Sequence, residues 1–151
     1  MLGYLKATNS VAVAAVLLTA SVCGLARAAD APDVVGTWTR TEHQIAYVGQ
    51  SSYYATRPDP ATMTNGADAG PTWIIKIETQ DGRSFHGKMI APTGKAEELV
   101  GAVRQDGKRF VFATASDSGS GEINGNEMES CWTGASPSFT VAGCGTFKRN
   151  K

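Results

Sequence analysis

Three turn dipeptides divide the second half of the chain into short segments of similar length. They are Asp81-Gly82, Asp106-Gly107 and Asn124-Gly125, and their residues tolerate the positive φ angles that tight hairpins require. Between them, apolar and polar side chains alternate, which is the period of a strand with one buried face. No helical periodicity of useful length follows residue 30. The pattern predicts an all-β chain built from hairpins.

We predict eight strands in this chain, joined mostly by short links. They cover residues 36–48, 72–80, 84–91, 97–105, 108–115, 119–124, 127–133 and 139–149. Even spacing with hairpin turns favours an eight-stranded antiparallel up-and-down β-barrel, which has no free edges and an interior that can hold one small ligand. A β-sandwich would show much the same alternation. Glycines on the predicted inner faces favour the barrel, because its bends need close backbone approach; these are Gly87, Gly101 and Gly121.

The N-terminal residues 1–28 have the pattern of a secretory signal peptide. Lys6 supplies a positive charge before the apolar run 11–22, and Ala26-Arg27-Ala28 supplies a small-x-small cleavage pattern. The apolar run is shorter than the roughly 20 residues that a spanning helix needs. We therefore expect a periplasmic or secreted protein with one domain at 29–151 and no membrane span after cleavage.

Two alternatives to cleavage at this site stay open. One is a buried N-terminal helix in place of a signal. The other is a lipid anchor on Cys23, although Ala20 and Val22 depart from the usual residues before a lipidated cysteine.

Two cysteines, Cys131 and Cys144, remain after signal cleavage, and an even pair in an exported chain predicts a disulfide. If they lie directly opposite on adjacent antiparallel strands, the same register pairs Glu127 with Lys148 on a polar outer face. The opposite face then carries Met128, Trp132, Phe139, Val141 and Phe147. A metal site would need further ligands, and only His43 and His86 are available, without a recognised spacing. We expect no metal and no cofactor.

Charge and motif content narrow the function classes. Fourteen basic residues face fourteen acidic ones, so the chain lacks the basic excess of a nucleic-acid binder. No GxSxG nucleophile motif occurs. Glu97 and Glu98 are adjacent, so on a strand they point to opposite faces, and no convergent pair of titratable groups is predicted. We expect a non-catalytic protein.

Two stretches resemble the avidins and, more broadly, the lipocalin-type (calycin) barrels. Gly36-Thr37-Trp38 is similar to the start of their first strand, residues 140–148 are similar to the last avidin strand, and Trp132 matches a tryptophan on the strand before it. The whole pattern also resembles small exported bacterial proteins of unassigned function. The resemblance implies the barrel fold, with Trp38 closing one end beneath Arg149.

The resemblance does not extend to the biotin site. In the biotin-binding avidins, polar amide and hydroxyl groups and an aliphatic side chain follow the first-strand tryptophan, and an inward Asp stands on the last strand. Here the matching residues are Arg40, Glu42, Gln44 and Gly145. A site built on hydrogen bonds fails when its partners are absent, so we expect a ligand other than biotin.

Period two places Arg40, Glu42 and Gln44 on the same face as Trp38, and charges buried in a barrel are paired or functional. A β-bulge after Trp38 would instead turn them outward. His43 and His86 fall on predicted outer faces. The long segment 49–71 is predicted as a loop, either folded over the barrel mouth or solvated with its tyrosines packed on the outside. The candidate ligand-binding residues are Trp38, Arg40, Glu42, Tyr53 and Trp132.

The favoured hypothesis is a small binding barrel that takes a small-molecule ligand at its mouth. The alternative is a periplasmic interaction module, such as a protease inhibitor, with a filled core and an envelope protein as its partner. Residues 29–34 would then serve as an inhibitory arm. An oligomer is compatible with either hypothesis and required by neither.

Overall fold

The computed structural model describes residues 31–49, 62–68 and 72–151. Within these ranges the chain forms nine strands and no helix, so it contains no helix long and apolar enough to cross a membrane. The strands are β1 (Gly36–Gly49), β2 (Thr62–Ala67), β3 (Ile74–Asp81), β4 (Ser84–Ile90), β5 (Ala96–Val103), β6 (Arg109–Ala113), β7 (Asp117–Asn124), β8 (Glu127–Ser136) and β9 (Phe139–Arg149).

Eight of these strands close an antiparallel barrel. Strands β3 to β9 pair with their neighbours in chain order, and β1 closes the ring by pairing with β9 and, over residues 36–39, with β3. All eight predicted strands are confirmed, each end within three residues of its expected position. The predicted turn glycines are confirmed as well, because Gly82, Gly107 and Gly125 have φ angles of 55°, 68° and 62°.

The prediction that residues 49–71 form only a loop is wrong, because β2 lies within that segment. The pairing of β1 with β3 ends at Thr39, and β2 pairs with the next part of the same edge, residues 42–47. The β2 sequence Thr-Met-Thr-Asn-Gly-Ala has no apolar alternation, so its strand conformation comes from this open backbone edge rather than from its side chains. Tyr53 lies outside the described residues.

Aromatic side chains and glycines fill the barrel interior together. A Cβ atom at Gly101 would lie 2.2 Å from the ring of Phe85, and one at Gly121 would lie 2.5 Å from the ring of Phe110. The two rings meet edge to face at 6.2 Å. The cavity that remains among the core side chains is about 10 Å³, which is at the lower limit for one water molecule.

Trp38 is packed in the core near the start of β1, against the side chain of Arg149. It is fully buried, and its indole nitrogen donates a hydrogen bond of 3.0 Å to the carbonyl of Val34. The guanidinium carbon of Arg149 lies 4.5 Å from the centre of the Trp38 rings, and Nη2 of Arg149 donates to the carbonyl of Asp33. Cation–π contacts contribute about 0.5–1 kcal/mol when exposed and about 2 kcal/mol when desolvated, and the Arg149 side chain, 22% exposed, lies between these cases.

The last hairpin has the predicted register. Cys131 lies directly opposite Cys144 and is bonded to it, and Glu127 lies opposite Lys148 with 3.7 Å between the charged atoms. The apolar side of the hairpin faces the core, with Trp132 on β8. The disulfide therefore lies on the outer wall of the barrel.

Candidate functional site

A β-bulge in β1 changes which side chains enter the barrel. The register with β9 shifts between Arg40 and Glu42, so Thr41 is an extra residue. Arg40 stays inside, but Glu42 and Gln44 are exposed on the outer face. Their predicted inward orientation is wrong, because the extra residue reverses the alternation.

The same bulge makes the predicted outward orientation of His43 wrong, since its side chain is only 16% exposed and contacts the buried Asp68. His86, in contrast, lies on the outer face as expected, 2.8 Å from Glu98.

Arg40 belongs to a buried polar cluster. Its Nε and Nη2 donate to the two carboxylate oxygens of Asp68 at 2.6 Å and 3.0 Å, and the Thr72 hydroxyl donates to the same carboxylate at 2.9 Å. Nδ1 of His43 lies 2.9 Å from it. Burial raises the pKa of Asp68, but the hydrogen bonds from Arg40 and Thr72 and the charges of Arg40 and His43 outweigh burial and hold it below 3.8. The charge of Arg40 is thus balanced within the protein.

Gly145 gives the Arg40 side chain its space. A Cβ atom at Gly145 would lie 2.9 Å from Cδ of Arg40, so the stem of the arginine occupies the space that a side chain at this position would need. Ser130, opposite Gly145 on β8, is 1% exposed, and its hydroxyl has no hydrogen-bond partner among the described residues. Ser130, His43 and Asp68 are the residue types of a hydrolase triad, but this serine is closed to substrate and makes no hydrogen bond to the histidine.

The remaining predicted ligand-binding residues are not brought together. Trp132 is 9% exposed and packs over Gly143, where a Cβ atom would lie 3.0 Å from its ring. Trp38 lies in the packed end of the core, Arg40 is paired with Asp68, and Glu42 is outside the barrel. The described residues thus form no interior mouth that these side chains share.

The predicted inhibitory arm is held against the barrel over the part that the structure describes. Val34 is 1% exposed, and its backbone nitrogen donates to the side-chain oxygen of Gln80 at 2.9 Å. The side-chain nitrogen of Gln80 donates to the carbonyl of Pro32 at 3.0 Å.

A broad concavity lies on the outside of the barrel, and we call it the outer groove. Its volume is about 730 Å³, and three consecutive residues from each of five strands line it. None of these residues carries a charge. They are residues 44–46 of β1, 63–65 of β2, 118–120 of β7, 131–133 of β8 and 142–144 of β9.

The floor of the outer groove consists of outward side chains that the strand register aligns in rows across the sheet. Ser120, Cys131, Cys144, Gln44 and Asn65 are successive cross-strand partners on the outer face. A second outward row has the same order: Ser118, Thr133, Ala142, Ala46 and Met63. The disulfide joins the central strand of this floor, β9, to its neighbour β8. Strand β2 forms one wall and is the terminal strand of the described sheet, with one of its edges unpaired there.

A second concavity of about 470 Å³ adjoins the first, and we call it the acidic groove. It shares Gln44, Asn65 and Cys144 with the outer groove, and its charged carboxylates are Glu42 and Glu129. Neither carboxylate forms an ion pair within the part of the chain that the structure describes.

Sequence reasoning missed both grooves, although one signal was present. Lysine and glutamate occupy outward positions on β3 and β4, whereas the outward positions of 118–120 and 131–133 are Ser, Cys and Thr. The lack of charges over several neighbouring strands therefore distinguishes this part of the outer face from the rest of the barrel wall. The wall formed by β2 carries no comparable signal.

The fold is a closed antiparallel barrel compatible with a calycin-like class, and its outer surface carries the two grooves. No group of three or more potential metal ligands occurs within 31–49, 62–68 and 72–151. No protein-family model, curated protein or solved structure matches the chain.

Proposed function

We propose that this protein is a non-catalytic binding module that takes a segment of a partner protein in the outer groove. The contrast between the two sides of the barrel wall supports this proposal. The described core leaves a cavity of about 10 Å³, whereas the outer groove offers about 730 Å³. Ligand pockets of drug-sized molecules measure about 300–1,000 Å³, so the space for an occupant lies outside.

The dimensions of the outer groove favour an extended segment over a compact ligand. Five strands at about 4.8 Å spacing make it about 19 Å long across the sheet, but each strand contributes only three residues to its width. An extended chain advances about 3.3 Å per residue, so about six residues fill the length. The inhibitor version that uses residues 29–34 as its arm is not proposed, because Val34 is buried.

An exported location and a calycin-like relationship are part of the proposal. The Cys131–Cys144 disulfide is typical of oxidising compartments, and residues 1–28 have a signal pattern. The contact between Trp38 and Arg149 supports the relationship to avidin-like and lipocalin-like barrels. Biotin is not proposed as the ligand, because the guanidinium of Arg40 is paired with Asp68 and Gly145 has no side chain to offer a hydrogen bond.

A matched pair of alanine variants tests the proposal. Ala142 lies in the outer groove on β9, and Ala96 lies on β5 outside both grooves; both are exposed strand residues. The immobilised wild-type protein is panned against a random octapeptide phage library, and the selected peptides are measured on Ala142→Arg and Ala96→Arg. We expect Ala142→Arg to lose the peptides and Ala96→Arg to keep them.

Two results would overturn the proposal. One is a library that yields no peptide whose binding depends on the groove. The other is native mass spectrometry that finds a discrete small molecule on the purified protein, retained equally by both variants. Far-ultraviolet circular dichroism of each variant shows that the barrel is intact.

A further inference from the structure

We infer that the barrel interior has a binding site for one water molecule, between the guanidinium of Arg40 and the hydroxyl of Ser130. The water accepts a hydrogen bond from Nη1 of Arg40 and donates one to Oγ of Ser130. The site lies on the inner side of the barrel wall, so it does not depend on the outer groove or on what that groove binds.

The first argument is that two buried polar groups make no hydrogen bond within the described residues. Ser130 on β8 is 1% exposed and Arg40 on β1 is 6% exposed. The atoms without a partner are Oγ of Ser130 and Nη1 of Arg40, whereas Nε and Nη2 of Arg40 donate to Asp68. Buried polar groups are almost always bonded to protein or to ordered water. Both atoms therefore point to a small polar ligand.

The second argument is that these two groups border the same glycine. Ser130 lies directly opposite Gly145 on β9, and Gly145 lies opposite β1 on its other side. Because Gly145 has no side chain, the stem of Arg40 passes over it. A Cβ atom at Gly145 would lie 2.9 Å from Cδ and 3.3 Å from Cγ of Arg40. No side chain of β9 thus separates the arginine from Ser130.

The third argument is that the other surroundings of Ser130 are apolar. On the β7 side, a Cβ atom on the glycine opposite Ser130 would lie 2.5 Å from the ring of Phe110. Met128 and Trp132, two residues before and after Ser130 on the same face of β8, are both buried. The unpartnered hydroxyl therefore has its polar neighbour on the side of Arg40.

The charges of the site favour water over an anion. The guanidinium of Arg40 is already balanced by the carboxylate of Asp68, 2.6 Å away. An anion would add an unbalanced charge to the interior, which is costly. A water molecule needs about two to four polar partners, and the site offers an N–H donor and a hydroxyl. The cavity of about 10 Å³ elsewhere in the core is lined by apolar residues alone, and cavities of that kind stay dry.

The sign of the effect of Ser130→Ala on stability tests the inference. Removing a buried hydroxyl that has no partner should stabilise the fold, whereas removing one that is bonded to a held water should destabilise it. We expect Ser130→Ala to raise the unfolding equilibrium constant about fivefold in urea denaturation. Ser84→Ala, at an exposed serine of β4, is the control and should leave the midpoint unchanged. An unchanged or raised midpoint for Ser130→Ala would overturn the inference.

The double variant Arg40→Met/Asp68→Leu shows whether the water links the two groups. It removes Nη1 together with the countercharge of the arginine, so the water loses its donor. We expect Ser130→Ala to lose its destabilising effect in this background. An equal effect in both backgrounds would mean that Ser130 and Arg40 are not coupled, and would overturn the inference.

A crystal structure of the wild-type protein tests the ligand itself, and it does not depend on the folding of any variant. We expect an ordered water about 3 Å from both Nη1 of Arg40 and Oγ of Ser130, and no anomalous peak at this place after a bromide soak. A bromide peak would show an anion site instead of a water site. That result, a direct hydrogen bond between the two side chains, or no ordered atom between them would overturn the inference.

Discussion

Replacing Asp68 by Asn should destabilise the barrel strongly, because the change leaves the guanidinium of Arg40 without its countercharge. Arg40 is 6% exposed and Asp68 9%, and two hydrogen bonds of 2.6 Å and 3.0 Å join them. Removing one partner of a buried ion pair costs about 3–5 kcal/mol. We expect a loss of that size in the free energy of unfolding, measured by urea denaturation with tryptophan fluorescence at neutral pH.

The pH dependence of this loss follows from the carboxyl group. The folded-state pKa of Asp68 lies below the ordinary value of 3.8, so its ionised form stabilises the folded state above that pH. This stabilisation is lost as the pH falls through the folded-state pKa. The difference between wild type and Asp68→Asn should therefore be full near neutral pH and shrink below about pH 4.

Two further variants complete the test. Arg40→Met combined with Asp68→Leu removes both charges and should recover most of the lost stability, because apolar pairs commonly replace buried ion pairs without loss. Glu78→Gln breaks the exposed 3.0 Å pair with Lys76 and should leave the urea midpoint unchanged. A loss below about 1 kcal/mol for Asp68→Asn, or one that persists unchanged into acid, would refute the reasoning.

Three further substitutions test a carboxyl whose pKa is raised, a glycine in the packed core and the disulfide. Burial and the charge of Glu97 raise the pKa of Asp117 above 3.8, so the ionisation of this carboxyl opposes folding. Asp117→Asn should therefore raise the melting temperature at neutral pH and leave it unchanged below about pH 3, where the carboxyl is neutral. A variant that is less stable than wild type at neutral pH would contradict this. Gly121→Ala places a Cβ atom 2.1 Å from the carbonyl oxygen of Glu129, so it should lower the free energy of unfolding in urea by about 1–3 kcal/mol. An unchanged midpoint of urea denaturation would show that the strands can separate freely. Cys131→Ser combined with Cys144→Ser removes a cross-link with a sequence separation of 13. The free energy of unfolding should fall by about 3 kcal/mol relative to the oxidised wild type, measured in urea. Equal stability would mean that the cross-link restricts the unfolded chain very little.

The all-β fold was predictable because its signals are local. Asp81-Gly82, Asp106-Gly107 and Asn124-Gly125 determine hairpins within a few residues, and alternation between them determines which face is buried. The register of the last hairpin followed from one pair, Cys131 and Cys144, because a single cross-strand contact fixes all the others.

The candidate site was less predictable, because non-local backbone geometry forms it. Strand β2 exists because β1 extends past β3, and the six residues of β2 do not show this by themselves. Arg40 precedes the bulge at Thr41 and keeps the inward phase of Trp38, but the inward position of His43 depends on that bulge, and bulges have no strong sequence signature. The grooves combine residues from strands that are far apart in the chain, so the sequence showed only their lack of charge.

The bulge at Thr41 also divides β1 into two parts of opposite phase. Before it, the inward side chains are Trp38 and Arg40; after it, they are His43 and Ile45. Because Thr41 is the extra residue, deleting it would remove the bulge and leave a uniform alternation with the same faces, Glu42 still outside and Ile45 still inside. A sequence aligned with a single-residue gap at position 41 would therefore keep the same lining on both sides of the wall, whereas a gap among residues 42–47 would exchange the faces of the β1 residues that follow it.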